Sequence, residues 1–386
     1  MNEQSLCLLL PQPKTGVFMS FNGTIIKLKT KEAGLSLSAL AERLHVTRQA
    51  VNTWIEGRVP RGMHLVDLCS ILGLKPGDLF EAEARAAISA PLHRTIQKKK
   101  VTSEMTDASM EMAREYLNIF RQAPAFAMVP VARMQERNTR SAKLLAEYLR
   151  KMSKLSDDKP MNYEGAFKLL AALNVYVVFR PFPPEIVKHS YAFYSRIADQ
   201  RVVFVNIDTN VLDLIYFLLH ETVHAIRDEV EGAINTDAEE IFCDKVAMFS
   251  QFPDYYARNV ATAIAGCQPS HVVNMLKNFS ASNGHSVYGL YYRLREDGLF
   301  PEGLSVAGAA VNLKKKFPSL REILYKEPDP RGFVGMLYEL SPHFMKLVKE
   351  NVAGATVRKV GEWLGLDTTI DDRTIIDEIN RHNEPA

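Results

Sequence analysis

"LLHETVHAIRDEVEGAINTDAEEIFCD" (residues 218–244) sets two histidines four residues apart, His220 and His224, with Glu221 beside the first and an acidic cluster further on. The stretch leading into it, "VLDLIYFLLHETVHAI" (211–226), is apolar on nearly every face, which predicts a buried helix capped by Asp208 or Thr209. Helix positions i and i+4 share a face, so both imidazoles can reach one ion. Glu221 is rotated to the side, where a carboxylate can act as general base on a metal-bound water. Two imidazoles and a carboxylate are costly to bury without partners, and a metal would supply one.

A catalytic zinc takes three protein ligands and a water, so a third ligand is expected on a following helix over 236–250. There "DAEEIFCD" (237–244) offers Glu239, Glu240 and Asp244. Glu240 and Asp244 stand at i and i+4, which lets Glu240 bind Zn2+ while Asp244 accepts the free ring N–H of a ligand histidine. Glu239 is the rival ligand, and the choice rests on which residue faces the core. Residues 220–244 hold eight acidic residues and one arginine, an excess that a dication would offset. "RDEVEG" (227–232) reads as a solvated turn. Tyr191, Tyr194, His189 and His285 are candidate oxyanion stabilisers by residue type.

Working outward, "YAFYSRI" and "RVVFVNI" joined by Ala198-Asp199-Gln200 read as a β-hairpin, and "NVYVVFRPF" (174–182) as a further strand. Helices are expected at roughly 108–122 and 136–155 and through most of 256–386. The fold class is mainly α (α+β): a helical N-terminal domain, a zincin-like peptidase domain with a small β-sheet and an HExxH helix, and a helical C-terminal region. The expected division is a poorly structured tail (1–20), a helix-turn-helix (21–82), a linker (83–107), the peptidase domain (108–300) and a helical accessory region (301–386). Met19 is an alternative start.

The hairpin ending "VFVNI", then "LLHETVH", "EEIFCDKVAMF" and "HSVYGLYYRLREDGLF", taken together, resemble the ImmA/IrrE metallopeptidases over roughly 110–300. The resemblance implies His220, His224 and Glu240 as zinc ligands, Glu221 as base and Asp244 as the acid behind a ligand histidine. It implies a peptidase that cuts a repressor of the XRE type in stress response or mobile-element and toxin–antitoxin control. The chain departs from the family at Ile215 and Phe217, where polar residues are usual, at Cys243 in place of alanine, and at "SQFP" in place of "LLMP".

In the N-terminal region, "LSLSALAERLHVTRQAVNTWIEGRVPRGMHLVDLCSILGL" (35–74) fits a helix-turn-helix: Ser36 or Ser38 caps one helix, "LHV" turns, and Thr47 caps the next. Thr47, Arg48, Gln49, Asn52 and Thr53 carry side chains able to contact phosphates and base edges, while Ala50, Val51, Trp54 and Ile55 supply the core face. The stretch resembles the XRE/Cro-type repressor domain. Residues 21–105 hold 13 basic and 8 acidic residues, a net +5, and "QKKK" (97–100) adds basic charge, which suits DNA.

The whole 386-residue chain is near neutral at +2, so neither a nucleic-acid coat nor a membrane-surface protein follows from net charge. Four cysteines without a paired spacing suggest neither a disulfide framework nor a cysteine zinc site and fit a reducing cytoplasm. No run reaches the roughly 18 apolar residues of a membrane span. The expected partners are DNA and a protein substrate, with a homodimer possible because such DNA-binding domains work on paired half-sites. Self-cleavage near 81–107 is a further expectation. The competing reading is a helix-turn-helix regulator whose peptidase-like domain senses metal or ligand without proteolysis.

Overall fold

A computed structural model describes residues 19–21, 23–55, 60, 63–74, 80–82, 88–89, 92–93, 101–124, 131–228, 237–325, 329–366 and 372–382. The expectations for residues 1–18, for "QKKK" and for most of "RDEVEG" lie outside the described residues. The chain is mainly helical with small sheets, and it divides into two compact units, 14–86 and 87–386.

In the first unit, helices α1 (Thr24–Glu32), α2 (Leu37–Arg43), α3 (Arg48–Ile55) and α4 (Met63–Leu72) surround Ile26, Leu40, Val51 and Leu68, each fully buried. Ser36, of the two serines considered, accepts the Ala39 N–H at 3.1 Å and starts α2. The α2–α3 turn passes through His45 with φ of 52°. Strands β1 (Met19–Phe21) and β2 (Phe80–Ala82) pair antiparallel, so the end of the expected tail is ordered.

The second unit is built on a sheet ordered β3 (Leu92–His93), β5 (Ala192–Ile197), β6 (Gln200–Asn206) and β4 (Val175–Arg180). β5 and β6 form the expected hairpin, but the turn is Ala198-Asp199 alone, both in the left-handed region at φ 46° and 65°, and Gln200 belongs to β6. A two-residue loop with positive φ matches the right-handed twist of the flanking strands. β6 then pairs parallel with β4, and every β6 residue is buried, as a strand covered on both faces requires. Part of the stretch read as a linker is also ordered: β3 pairs with β5, and a helix starts at Ser103.

Around the sheet lie α5 (Ser103–Glu115), α6 (Leu117–Phe120), α7 (Thr139–Ser153), α8 (Tyr163–Ala172), α9 (Pro184–Val187), α10 (Val211–Arg227) and α11 (Asp237–Gln251). A neighbouring core gathers α12 (Asp254–Ile264), α13 (Pro269–Asn283), α14 (Val287–Glu296) and α15 (Ala307–Lys314). Finally α16 (Leu320–Leu324), α17 (Pro330–Leu340), α18 (Pro342–Asn351), α19 (Val357–Leu364) and α20 (Asp372–Arg381) return to the sheet core. The segment read as an accessory region, 301–386, is therefore shared between two cores. The reason is visible in "VRKVGEWLGL", whose Val360, Trp363 and Leu364 are buried in the core that holds β4.

The N-cap of α10 falls one residue after Thr209 and two after Asp208, the proposed caps. Asn210 is the N-cap, its Oδ1 accepting the Leu212 N–H at 3.1 Å, whereas Asp208 accepts the Arg321 guanidinium at 2.6 Å. Asparagine is as good a cap as aspartate, so residue type alone did not separate them.

Candidate metal centre and helix-turn-helix

α10 lies across β5 and β6 and is buried along most of its length; Leu214, Leu218 and Ile226 belong to the sheet core. His220, Glu221, Thr222 and His224 are at most 1% exposed. Thr222 satisfies its hydroxyl within the helix by donating to the Leu218 carbonyl at 2.6 Å. His220 and His224, one turn apart, bring their Nε2 atoms to 3.1 Å.

α11 packs on α10 and brings Glu240 across the two rings. One carboxylate oxygen lies 3.3 Å from His220 Nε2 and the other 3.2 Å from His224 Nε2. These three residues form the group able to hold a metal ion among the described residues. Asp244, one turn further along α11, has Oδ1 3.0 Å from His220 Nδ1, and the same oxygen accepts the Tyr216 hydroxyl at 2.9 Å.

That arrangement fixes the chemistry of the donor set. A proton held on Nδ1 of His220 by Asp244 leaves the Nε2 lone pair facing inward. Around a tetrahedral zinc with bonds of about 2.0–2.1 Å, neighbouring ligand atoms stand roughly 3.3 Å apart. The separations of 3.1, 3.2 and 3.3 Å fit that edge length. Imidazole nitrogens and a carboxylate are also the donor types zinc takes. The residues present therefore fit a zinc ion.

The electrostatics agree. Burial pushes Glu240 up, but the hydrogen bonds and charges of His220 and His224 outweigh it and hold the carboxyl down at about 2. Burial pushes His220 down, yet hydrogen bonds to Asp244 and Glu240 more than compensate and raise it above the ordinary histidine value. Three inward-facing acceptors of this kind call for a cation, whether a proton or a metal.

Glu239 is turned away from the histidines. It accepts Arg227 Nε at 2.5 Å and Nη2 at 3.0 Å, and Arg137 Nε at 2.5 Å. Burial raises its pKa, and the two guanidiniums more than reverse that, lowering it overall. Of the two glutamates, Glu240 is the one at the centre. Arg227 is a correction to the reading of "RDEVEG" as a solvated turn: it is fully buried, lies over the Phe242 ring at 4.5 Å and donates to the Met134 carbonyl at 2.7 Å. The signal was available, since Arg227 stands seven residues after His220 on the same helical face, and a buried guanidinium needs a carboxylate.

Cys243 places Sγ 3.7 Å from His224 Nδ1. Burial, then the charges of Glu239 and Glu240, push the thiol well above its ordinary value, so it stays protonated. Two of the four oxyanion candidates are engaged with other partners. Tyr194 donates to Asp228 Oδ2 at 2.5 Å. His285 lies in the neighbouring core, 2.9 Å from the Tyr256 hydroxyl. Tyr191 lies tilted against the Phe217 ring, 5.8 Å between centroids.

In the first unit, Thr47 Oγ1 accepts the Ala50 N–H at 3.1 Å and caps α3. Thr47, Arg48 and Gln49 are exposed, Asn52 and Thr53 are half-buried, and Val51 and Trp54 face the core. Thr53 spends its hydroxyl on the Ala50 carbonyl at 2.8 Å. The exposed start of α3 is therefore the surface that can enter a groove.

Residues 27–85 match the family model of the Cro/C1-type helix-turn-helix DNA-binding domain. The chain thus carries a DNA-binding module of a kind found in regulators. No curated protein and no solved structure matches the chain. Among the described residues, no helix is long and apolar enough to cross a membrane.

Proposed function

We infer that this protein is a cytoplasmic zinc-dependent endopeptidase fused to its own DNA-binding module, and that its substrate is a regulatory protein, a repressor of the XRE type. The observation that carries the reading is the convergence of His220 Nε2, His224 Nε2 and the Glu240 carboxylate at 3.1–3.3 Å, with Glu221 buried between the two histidines in sequence. Bound zinc would lower the pKa of a water and polarise a peptide carbonyl. His220, His224 and Glu240 would hold it. Glu221 takes a proton from the attacking water and passes it to the leaving amine. Asp244 and Tyr216 keep His220 in the tautomer that presents Nε2.

The choice of a repressor as substrate rests on the resemblance to the ImmA/IrrE peptidases and on the presence of a Cro/C1-type module in the same chain. Purified protein, zinc and a candidate XRE-type repressor should give a defined cut. Glu221→Gln should abolish it while retaining zinc. An intact repressor, or equal cutting by the Glu221→Gln chain, would count against the peptidase.

A second reading, a regulator that senses metal without proteolysis, is favoured by the helix-turn-helix match itself. It predicts that zinc changes operator affinity at least tenfold and that His220→Ala removes the response. Operator binding indifferent to zinc would sink it.

A further inference from the structure

Each of the two candidate ligand histidines has a second ring nitrogen, and the two are held differently. His220 Nδ1 meets the Asp244 carboxylate directly, at 3.0 Å. His224 Nδ1 faces a sulfur instead: Cys243 Sγ lies 3.7 Å away, and that sulfur is in turn 4.0 Å from Glu239 Oε1. His224, Cys243 and Glu239 are each at most 1% exposed. α11 thus uses one spacing twice, Glu240 with Asp244 behind His220 and Glu239 with Cys243 behind His224, both pairs at i and i+4.

The direction of the sulfur contact matters because a thiol both donates and accepts weakly. Were Cys243 to donate to His224 Nδ1, the ring proton would sit on Nε2, the atom that must meet the ion. Glu239 decides between the two directions. Paired with Arg227 and Arg137, its carboxylate only accepts, so the thiol proton is drawn to Oε1 and the sulfur lone pairs are left for the His224 Nδ1–H. The Nε2 lone pair then faces Glu240 and His220.

We propose that Cys243 is a positioning residue for the metal centre: its thiol donates to Glu239 and accepts the His224 Nδ1–H, so that His224 presents Nε2 to the ion. Glu239, turned away from the histidines, acts on them through this relay. Alanine, usual at this position in the resembled family, has no side-chain atom able to accept the proton. The relay rests on the zinc reading for its effect on metal affinity, and on the hydrogen-bond geometry alone for the tautomer.

The test uses the full chain with and without zinc. Zinc affinity is read by competition with a chromophoric chelator, and the protonated nitrogen of His224 by heteronuclear NMR of histidine-labelled protein. The wild-type chain should carry the His224 proton on Nδ1 even without metal. Cys243→Val keeps the bulk but has no acceptor; it should speed exchange of the Nδ1 proton with water and weaken zinc about tenfold, the lower end of the usual range for partners of ligating histidines. Cys243→Ser keeps a donor and an acceptor and should hold zinc within about threefold of wild type. A residue that only fills space is replaced as well by valine as by serine, so the order of the two variants separates hydrogen bonding from packing.

Equal zinc affinity in Cys243→Val and wild type, or a wild-type His224 protonated on Nε2 without metal, overturns the relay. Where Cys243→Val does not fold, the wild-type spectrum alone decides between the tautomers. A wild-type chain with the Nδ1-protonated ring that binds no zinc leaves the relay standing and takes down the metal reading.

Discussion

Arg227 grips Glu239 through two hydrogen bonds, 2.5 and 3.0 Å long, with both side chains at most 1% exposed. The next residue is Glu240, at the histidines. The ion pair thus sets the rotation of α11 on α10: with Glu239 locked to α10's last turn, Glu240 faces His220 and His224. Breaking a buried pair by removing one partner typically costs about 3–5 kcal/mol. Glu239→Gln and Arg227→Met should each lower the free energy of unfolding by that order and loosen zinc as well. A Glu239→Gln chain of unchanged stability and zinc content would show that the pair does not fix α11.

Glu240→Gln should behave in the opposite way. Its side chain is 29% exposed, so its loss should cost less stability than loss of the buried Glu239, while one of the three proposed zinc ligands is removed. Zinc affinity measured by competition with a chromophoric chelator should fall at least 100-fold with the unfolding transition in place. Full zinc retention would remove Glu240 from the ligand set.

Asp244 is tied to His220 and Tyr216 to Asp244, so in the proposed site both would act on zinc through His220. Asp244→Asn should weaken zinc about 10–100-fold, the usual range for partners of ligating histidines. Tyr216→Phe should have a smaller effect in the same direction. If Tyr216→Phe proved the more damaging, the hydroxyl would have a role beyond orienting the carboxylate.

His285 makes the fold acid-sensitive. Burial presses its imidazole down to about 4, so the native state favours the neutral ring, hydrogen-bonded with Tyr256. Above pH ~6.5 this costs nothing; between ~6.5 and ~4 the unfolded chain takes up a proton that the native chain refuses, and stability falls by roughly 3 kcal/mol. His285→Gln should flatten that part of the stability profile. Parallel profiles for the two chains would contradict the assignment.

DNA binding should separate capping from contact. Arg48→Ala and Gln49→Ala, on the exposed start of α3, should weaken operator binding by about 1–3 kcal/mol where they reach a base edge, with α3 intact. Trp54→Ala, by contrast, removes a core aromatic and should unfold the module, a loss of about 3–5 kcal/mol. Wild-type operator affinity in both surface variants would move the interface elsewhere.

Much of this was legible in the sequence because its signals are local. The i, i+4 spacing placed His220 and His224 on one face, the same spacing paired Glu240 with Asp244, and "LHVTRQ" marked a turn and a cap. What escaped depended on tertiary contact. The choice between Glu239 and Glu240 needed the tertiary contacts of Glu239 with Arg227 and with Arg137, the latter 102 residues away. The pairing of Ile88, Leu92 and His93 with β5 rests on main-chain register, which no side-chain pattern announces. The return of α16 to α20 to the sheet core likewise follows from packing rather than from periodicity, since an amphipathic helix does not say which core it covers.

Anomalous diffraction at the zinc edge from crystals of the zinc-loaded chain tests the central claim most directly. The account predicts one strong peak within about 2.0–2.2 Å of His220 Nε2, His224 Nε2 and a Glu240 carboxylate oxygen, with Glu239 still bound to Arg227. A peak elsewhere, or none in a chain that retains zinc in solution, would contradict it.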